Sequence, residues 1–97
     1  MIASVTYFKV KSGKMDAVIE QFKGYDISAA KSREGYRGVW LFTDHETRKG
    51  IALSFWDSKD VINNDAQDGA YQERVKRYQG LFDEPTVREL YEISAEG

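Results

Sequence analysis

Two apolar runs, "YRGVWLFT" from Tyr36 and "IALSFW" from Ile51, are joined by the polar, glycine-ended stretch "DHETRKG". Strands this close in sequence, bounded this way, pair with each other as an antiparallel hairpin. Side chains alternate between the faces of a strand. In the first run Val39 and Leu41 therefore oppose Trp40 and Phe42, and in the second Ile51, Leu53 and Phe55 oppose Ala52, Ser54 and Trp56. Both faces of the hairpin carry large apolar groups, so both have to be covered.

The flanking sequence supplies a cover for one face. "IASVTYFKV" reads as a strand with Ala3, Val5 and Tyr7 on one side and Ser4, Thr6 and Phe8 on the other, broken at Ser12-Gly13. Met15, Val18, Ile19 and Phe22 follow the spacing of an amphipathic helix, which Gly24 weakens, Ala29 and Ala30 resume, and Gly35 ends. After the hairpin, Ser58 is a good N-cap with Asp60 in the first turn. "NNDAQDG" interrupts this second helical region. Tyr71, Val75, Tyr78 and Phe82 continue it as a stripe, Asp83-Glu84-Pro85 stops it, and "TVRELYEIS" is a last strand.

The order β-α-β-β-α-β predicts an α+β, ferredoxin-like fold: a four-stranded antiparallel sheet with both helices on one face. The second face then stays apolar and wet unless something else covers it. A soluble monomer rarely exposes so large an apolar patch. The expected cover is a second copy of the chain, giving a homodimer whose two sheets enclose a partly apolar interior, a dimeric α/β barrel.

Bulk properties narrow the function. The 97 residues suit one domain, spanning 1–97. With no cysteine, disulfides, zinc-finger sites and thiol catalysis are excluded. A single histidine, His45, in a charged turn argues against a transition-metal site built from protein ligands. A net charge of −2 speaks against a nucleic-acid partner. The sequence holds no long apolar run for a membrane span and no signal-peptide pattern at its start, so a cytoplasmic location is the expectation.

The segments "GYRGVWLF", a charged hairpin turn, "IALSFWDSKD" and a late "LYEIS" together resemble the antibiotic biosynthesis monooxygenase-like family of the dimeric α/β-barrel superfamily, from Ile2 to Ser94. The resemblance implies that fold, a homodimer, no cofactor, and in some members oxygenation of phenolic, quinol or polyketide-type aromatics. Trp56 matches the tryptophan of the family's W-[DE]-S motif. The anthrone oxygenases carry an asparagine four residues before that tryptophan and a tyrosine six after it; here those positions hold Ala52 and Ile62. Haem-degrading members use an asparagine in the first strand and a histidine about ten residues past the tryptophan. This chain has Ser4 and Thr6 in that strand and no histidine near Ala66.

The residues expected to meet a small aromatic ligand are Trp56, Ser54, Ala52, Ser4, Thr6, Tyr91 and Glu89. Trp56 is either a pocket wall orienting a planar molecule or a core aromatic at a strand end. Ser54 and Ala52 leave room beside its ring. Ser4 and Thr6 are small and polar. Tyr91 is a source of a phenol hydroxyl. Glu89 is either a carboxylate of raised pKa among apolar neighbours or a partner in a salt bridge. Arg74 and Arg77 lie on one helix face, Glu73 and Arg77 forming an i, i+4 pair, as expected of a solvated surface. The alternative to an enzyme is a non-catalytic barrel that holds a small apolar ligand or serves as an interaction module.

Overall fold

The computed structural model describes residues 1–31, 33–66 and 69–97; the side chains of residues 29, 64–66, 69–71 and 74 lie outside that description. Four strands, β1 (Ile2–Lys9), β2 (Tyr36–Asp44), β3 (Lys49–Trp56) and β4 (Val87–Glu92), form one antiparallel sheet in the order β2-β3-β1-β4. The hairpin is present as read, with Asp44 opposite Lys49 at its closed end. The turn is held by the Asp44 carboxylate, which accepts from the Glu46 N–H at 2.9 Å. A bulge between Tyr36 and Gly38 starts β2, and a twofold Arg37–Asp57 contact (2.6 and 3.1 Å) ties that start to the residue after β3.

Between β1 and β2 the chain runs through α1 (Met15–Gln21), a π-helical turn (Phe22–Asp26) and α2 (Ile27–Lys31). The helix thus does not break at Gly24 but widens there by one residue per turn, and then resumes. The second helical region comprises α3 (Lys59–Ala66) and α4 (Gly69–Arg77). Ser58 caps α3, its Oγ accepting from the Val61 N–H at 3.4 Å. Two expectations are corrected here. The helix extends through Asn63 to Ala66, so the interruption is narrower than "NNDAQDG". At the other end α4 stops at Arg77, ahead of Asp83-Glu84-Pro85.

The physical reason for the early stop is local. Gly80 adopts φ +84°, a left-handed conformation natural to glycine. The chain then turns back so that Phe82 bridges to Val10 beside β1 and packs its ring 5.3 Å from that of Phe8. Phe82 therefore serves the sheet, and Val75 stays largely exposed. Tyr71, the first member of the expected stripe, and Arg74 have side chains outside the described residues. Arg77 stacks over the Tyr25 ring at 4.1 Å, with Glu73 3.8 Å away.

All the helices lie on one side of the sheet. The core beneath them has two separate clusters. One contains Phe8, Val10, Met15 and Val18; the other contains Ile2, Trp56 and Ile62. The opposite side of the sheet is open, and Tyr7, Trp40, Phe42, Val87 and Tyr91 are each 41–55% exposed there.

Candidate functional site

The two core clusters stay apart because of what lies between them. On the helix-covered face, β1 and β3 pair Ile2 with Trp56, Ser4 with Ser54, Thr6 with Ala52 and Phe8 with Gly50. The end pairs each hold a large ring. Phe8 lies so close over Gly50 that a Cβ there would come within 2.3 Å of its Cζ. The two middle pairs are all small. Helices carried by large groups at both ends cannot settle onto a middle filled by Ser, Thr, Ala and Ser. The result is a cavity of about 690 Å³ between sheet and helices.

The cavity floor is Ser4, Thr6, Ala52, Ser54, Val39 and Leu41, with Trp56 at one end and Phe8 and Phe82 at the other. Val18, Phe22, Asp26 and Ala30 line it from the first helical region, Val75, Lys76 and Tyr78 from the second. Glu84, Pro85, Thr86 and Arg88 complete the wall beside β4. Its volume lies within the roughly 300–1,000 Å³ typical of small-molecule sites. Phe22 and Asp26, the two ends of the π-helical turn, both face it. Such turns are rare, and they occur frequently at functional sites.

Trp56 is a core aromatic at a strand end that also borders the cavity. It is only 3% exposed and packs with Ile2 and Ile62. Its indole N–H donates to the Ser54 Oγ at 2.9 Å, and its ring meets Tyr36 edge-on with centroids 5.7 Å apart. Those contacts fix the ring plane and occupy its hydrogen-bond donor, and only a small part of the ring borders the cavity. Burial raises the Tyr36 hydroxyl above its ordinary pKa.

Of the seven residues expected to meet a ligand, Ser4, Thr6, Ala52, Ser54 and Trp56 line this one cavity. Tyr91 and Glu89 do not. They pair with Ala3 and Val5 in the β1–β4 register and point to the open face. There the Tyr91 hydroxyl donates to the Glu89 carboxylate. That hydrogen bond first, and desolvation second, holds the phenol above its usual pKa.

Of the polar cavity groups outside the expected residues, Tyr78, Asp26 and Arg88 are held by hydrogen bonds at the cavity. The Tyr78 hydroxyl donates to Asp26 Oδ2 at 2.5 Å. Arg88 Nε donates to the Ser4 Oγ at 2.8 Å. Alternation along β4 separates Arg88 from Glu89 and Tyr91, but only the pairing with β1 puts it on the Ser4–Thr6 face; Asp26 gave no such signal, because the π-helical turn that contains it shifts the helical phase. His45 stays in the hairpin turn, largely exposed and 3.3 Å from Asp16. Among the described residues no three His, Asp or Glu side chains cluster as a metal site would require.

The sequence profile of the antibiotic biosynthesis monooxygenase family matches residues 1–77. The chain belongs to that family. No curated protein matches it significantly. Among solved structures, it is similar to a putative antibiotic biosynthesis monooxygenase from Bordetella bronchiseptica, with 18% identity, 97% of each chain covered and a TM-score of 0.86. A putative antibiotic biosynthesis monooxygenase from Nitrosomonas europaea superposes with a TM-score of 0.84 at 12% identity, over 98% of this chain and 100% of that one. A Mycobacterium tuberculosis protein gives 0.82 at 13% identity, over 98% and 96%. Identities this low establish the shared fold, and family membership carries no particular substrate with it. No helix is long and apolar enough to cross a membrane, among the described residues.

Proposed function

We propose that this family member is a homodimeric, cofactor-independent monooxygenase that takes a planar phenolic or quinol-type aromatic into the cavity beside Trp56. The observation that carries the reading is the cavity itself: about 690 Å³, mainly apolar in surface, with a fixed indole at one end and polar groups at Asp26, Tyr78 and Arg88 in its walls. A planar ligand would meet that ring where it borders the cavity, along with Val39, Leu41 and Phe8, and its affinity would come chiefly from burial.

The chemistry asks little of the protein. In an anthrone, the keto tautomer of a fused-ring phenol, an activated methylene C–H gives its proton to a carboxylate, and the resulting carbanion reduces dioxygen. One oxygen atom stays on carbon as a carbonyl and the other leaves as water. One ring methylene and one dioxygen thus give one ring carbonyl and one water, with both methylene hydrogens accounted for in the water. Asp26 is the proposed proton acceptor, being a carboxylate in the wall that Tyr78 holds in place at 2.5 Å. The apolar lining would favour the delocalised, weakly hydrated anion and orient it for reaction.

The homodimer rests on the open face of the sheet, where Tyr7, Trp40, Phe42, Val87 and Tyr91 stand exposed. A second reading, a barrel that binds without catalysis, is favoured by Ala52 in the cavity floor and Ile62 buried behind Trp56, where anthrone oxygenases carry polar groups. Oxygen-electrode assays against a panel of hydroquinones and anthrones separate the two. Protein-dependent uptake, one dioxygen per substrate and abolished by Asp26→Asn, is expected of the oxygenase. Saturable binding with no uptake beyond the buffer rate would establish the binder instead.

A further inference from the structure

We propose that the cavity selects an aromatic ligand bearing a carboxylate, and that Arg88 is the group that reads it. The inference deepens the reading of the cavity as a small-molecule site and rests on it. Three observations carry it.

First, Arg88 comes from the edge strand β4 and keeps its access to water as an exposed residue, yet it borders the cavity mouth and is tied to the floor. Its Cα partner is Thr6, but its Nε reaches the Oγ of Ser4, two residues along β1. The Nε end of the guanidinium is therefore held at the cavity floor, while the residue as a whole stays exposed at its rim. Ser4 itself is 3% exposed, so the anchor holding the root of the fork is a buried one.

Second, that anchor uses one donor and leaves the rest. With Nε committed to Ser4, the two terminal amino groups still present an end-on pair of N–H donors. Among the described residues no carboxylate lies within ion-pair distance of Arg88; Glu84, in the same wall, makes no ion pair with it. A parallel pair of N–H donors matches the two oxygens of a carboxylate better than a single phenolate oxygen.

Third, the register aligns this fork with the aromatic wall. Ser4 and Ser54 face each other across β1 and β3. Ser4 pins Arg88 and Ser54 pins Trp56. The two facing serines thus bring the buried indole at one end of the hollow and a forked cation at its rim to the same stretch of the sheet. A planar acid would lie with its ring against the indole and its carboxylate on the guanidinium.

Isothermal titration calorimetry with 2-naphthoate and its neutral near-isostere 2-naphthamide tests this. Wild-type protein should prefer the acid by about tenfold or more, as expected for hydrogen bonds to a charged group, and the preference should shrink with added salt. Arg88→Gln should lower naphthoate affinity to that of naphthamide and leave naphthamide unchanged. Arg88→Lys, which keeps the charge but not the fork, should keep only part of the preference, and it guards against a fold defect in the glutamine variant. Equal wild-type affinity for the two probes, or an equal loss of both in Arg88→Gln, would overturn the role of Arg88 while the cavity reading stood. Failure of both probes to bind at all would remove the cavity reading together with this one.

Discussion

Replacing Ala52 by Leu asks directly whether the space beneath the helices is empty. Ala52 lies in the middle of β3, opposite Thr6, with its Cβ toward the helices. Leu adds three carbons. If they enter open space they lose water without displacing neighbours, and complete burial would add at most about 2.4 kcal/mol at roughly 0.8 kcal/mol per methylene. Ala52 is only half-buried, so the gain should fall well below that ceiling, near zero to about 1 kcal/mol. In a filled core the same change forces side chains off their rotamers and costs about 1–3 kcal/mol. The two cases therefore differ in sign. Urea unfolding at fixed protein concentration, followed by far-ultraviolet circular dichroism, reads the difference. In thermal melts each kcal/mol corresponds to about 4–8 °C in a domain of this size. Stability equal to or above wild type, with aromatic ligand binding weakened roughly tenfold or more by lost space, is expected. A loss of more than about 1 kcal/mol would show that the small residues of β1 and β3 are already covered, and the account of the cavity would fail.

Three further outcomes follow from the same geometry. Planar phenols should quench tryptophan emission saturably; Trp56→Phe should abolish the quenching and Trp40→Phe, on the open face, should leave it, whereas retained affinity in Trp56→Phe would assign the indole to the core alone. Sedimentation at micromolar concentration should give twice the 11.1 kDa chain mass, and Trp40→Lys should shift it toward the monomer; a wild-type monomer would refute self-association. Arg37 holds the Asp57 carboxyl below its ordinary pKa, chiefly by hydrogen bonding. Because the folded pKa is the lower one, the pair's small stabilisation is present above the unfolded value, near pH ~4, and fades as pH falls through the folded one; acid unfolding of Asp57→Asn should lack that component, and an unchanged acid profile would refute it.

Period-two alternation was legible in the sequence and it decided most of the fold. It separated Val39 and Leu41 from Trp40 and Phe42, and from that came the doubly apolar sheet and its need for two covers. Lateral register was not legible, because nothing in "IASVTYFKV" says which residue of β3 each member meets. Pairing sets Ser4 on Ser54 and Thr6 on Ala52, and only that pairing turns four scattered small residues into one hollow. The same parity separates Glu89 and Tyr91 from Arg88, so the pleat keeps the first two off the face that borders the cavity. The end of α4 was misread for a different reason. Tyr78 and Phe82 keep helical spacing from Val75 although Gly80 has already turned the chain, so a stripe in the sequence outlasted the helix.

The sheet therefore does two jobs that its alternation keeps apart. The β1–β3 pairs facing the helices hold a large ring at each end and only small side chains between, and that gradient makes a hollow. The residues facing outward carry no such gradient. Tyr7 and Phe42 are large and exposed, Trp40 leans edge-on against Phe55 with centroids 5.4 Å apart, and Glu89 is engaged by Tyr91. A face filled by rings offers area and little depth, which suits another surface better than a small molecule. Substitutions can consequently be sorted by parity. A change at Ser4, Thr6, Ala52 or Ser54 alters the shape of the hollow, and a change at Tyr7, Trp40, Phe42 or Tyr91 alters what covers the sheet. Because the two sets share strands but no face, their effects on ligand affinity and on self-association should add independently, apart from what the backbone transmits between adjacent residues. Pairing Ala52→Leu with Trp40→Lys measures this. Coupling well beyond about 0.5 kcal/mol in ligand affinity would mean that the open face takes part in the cavity after all.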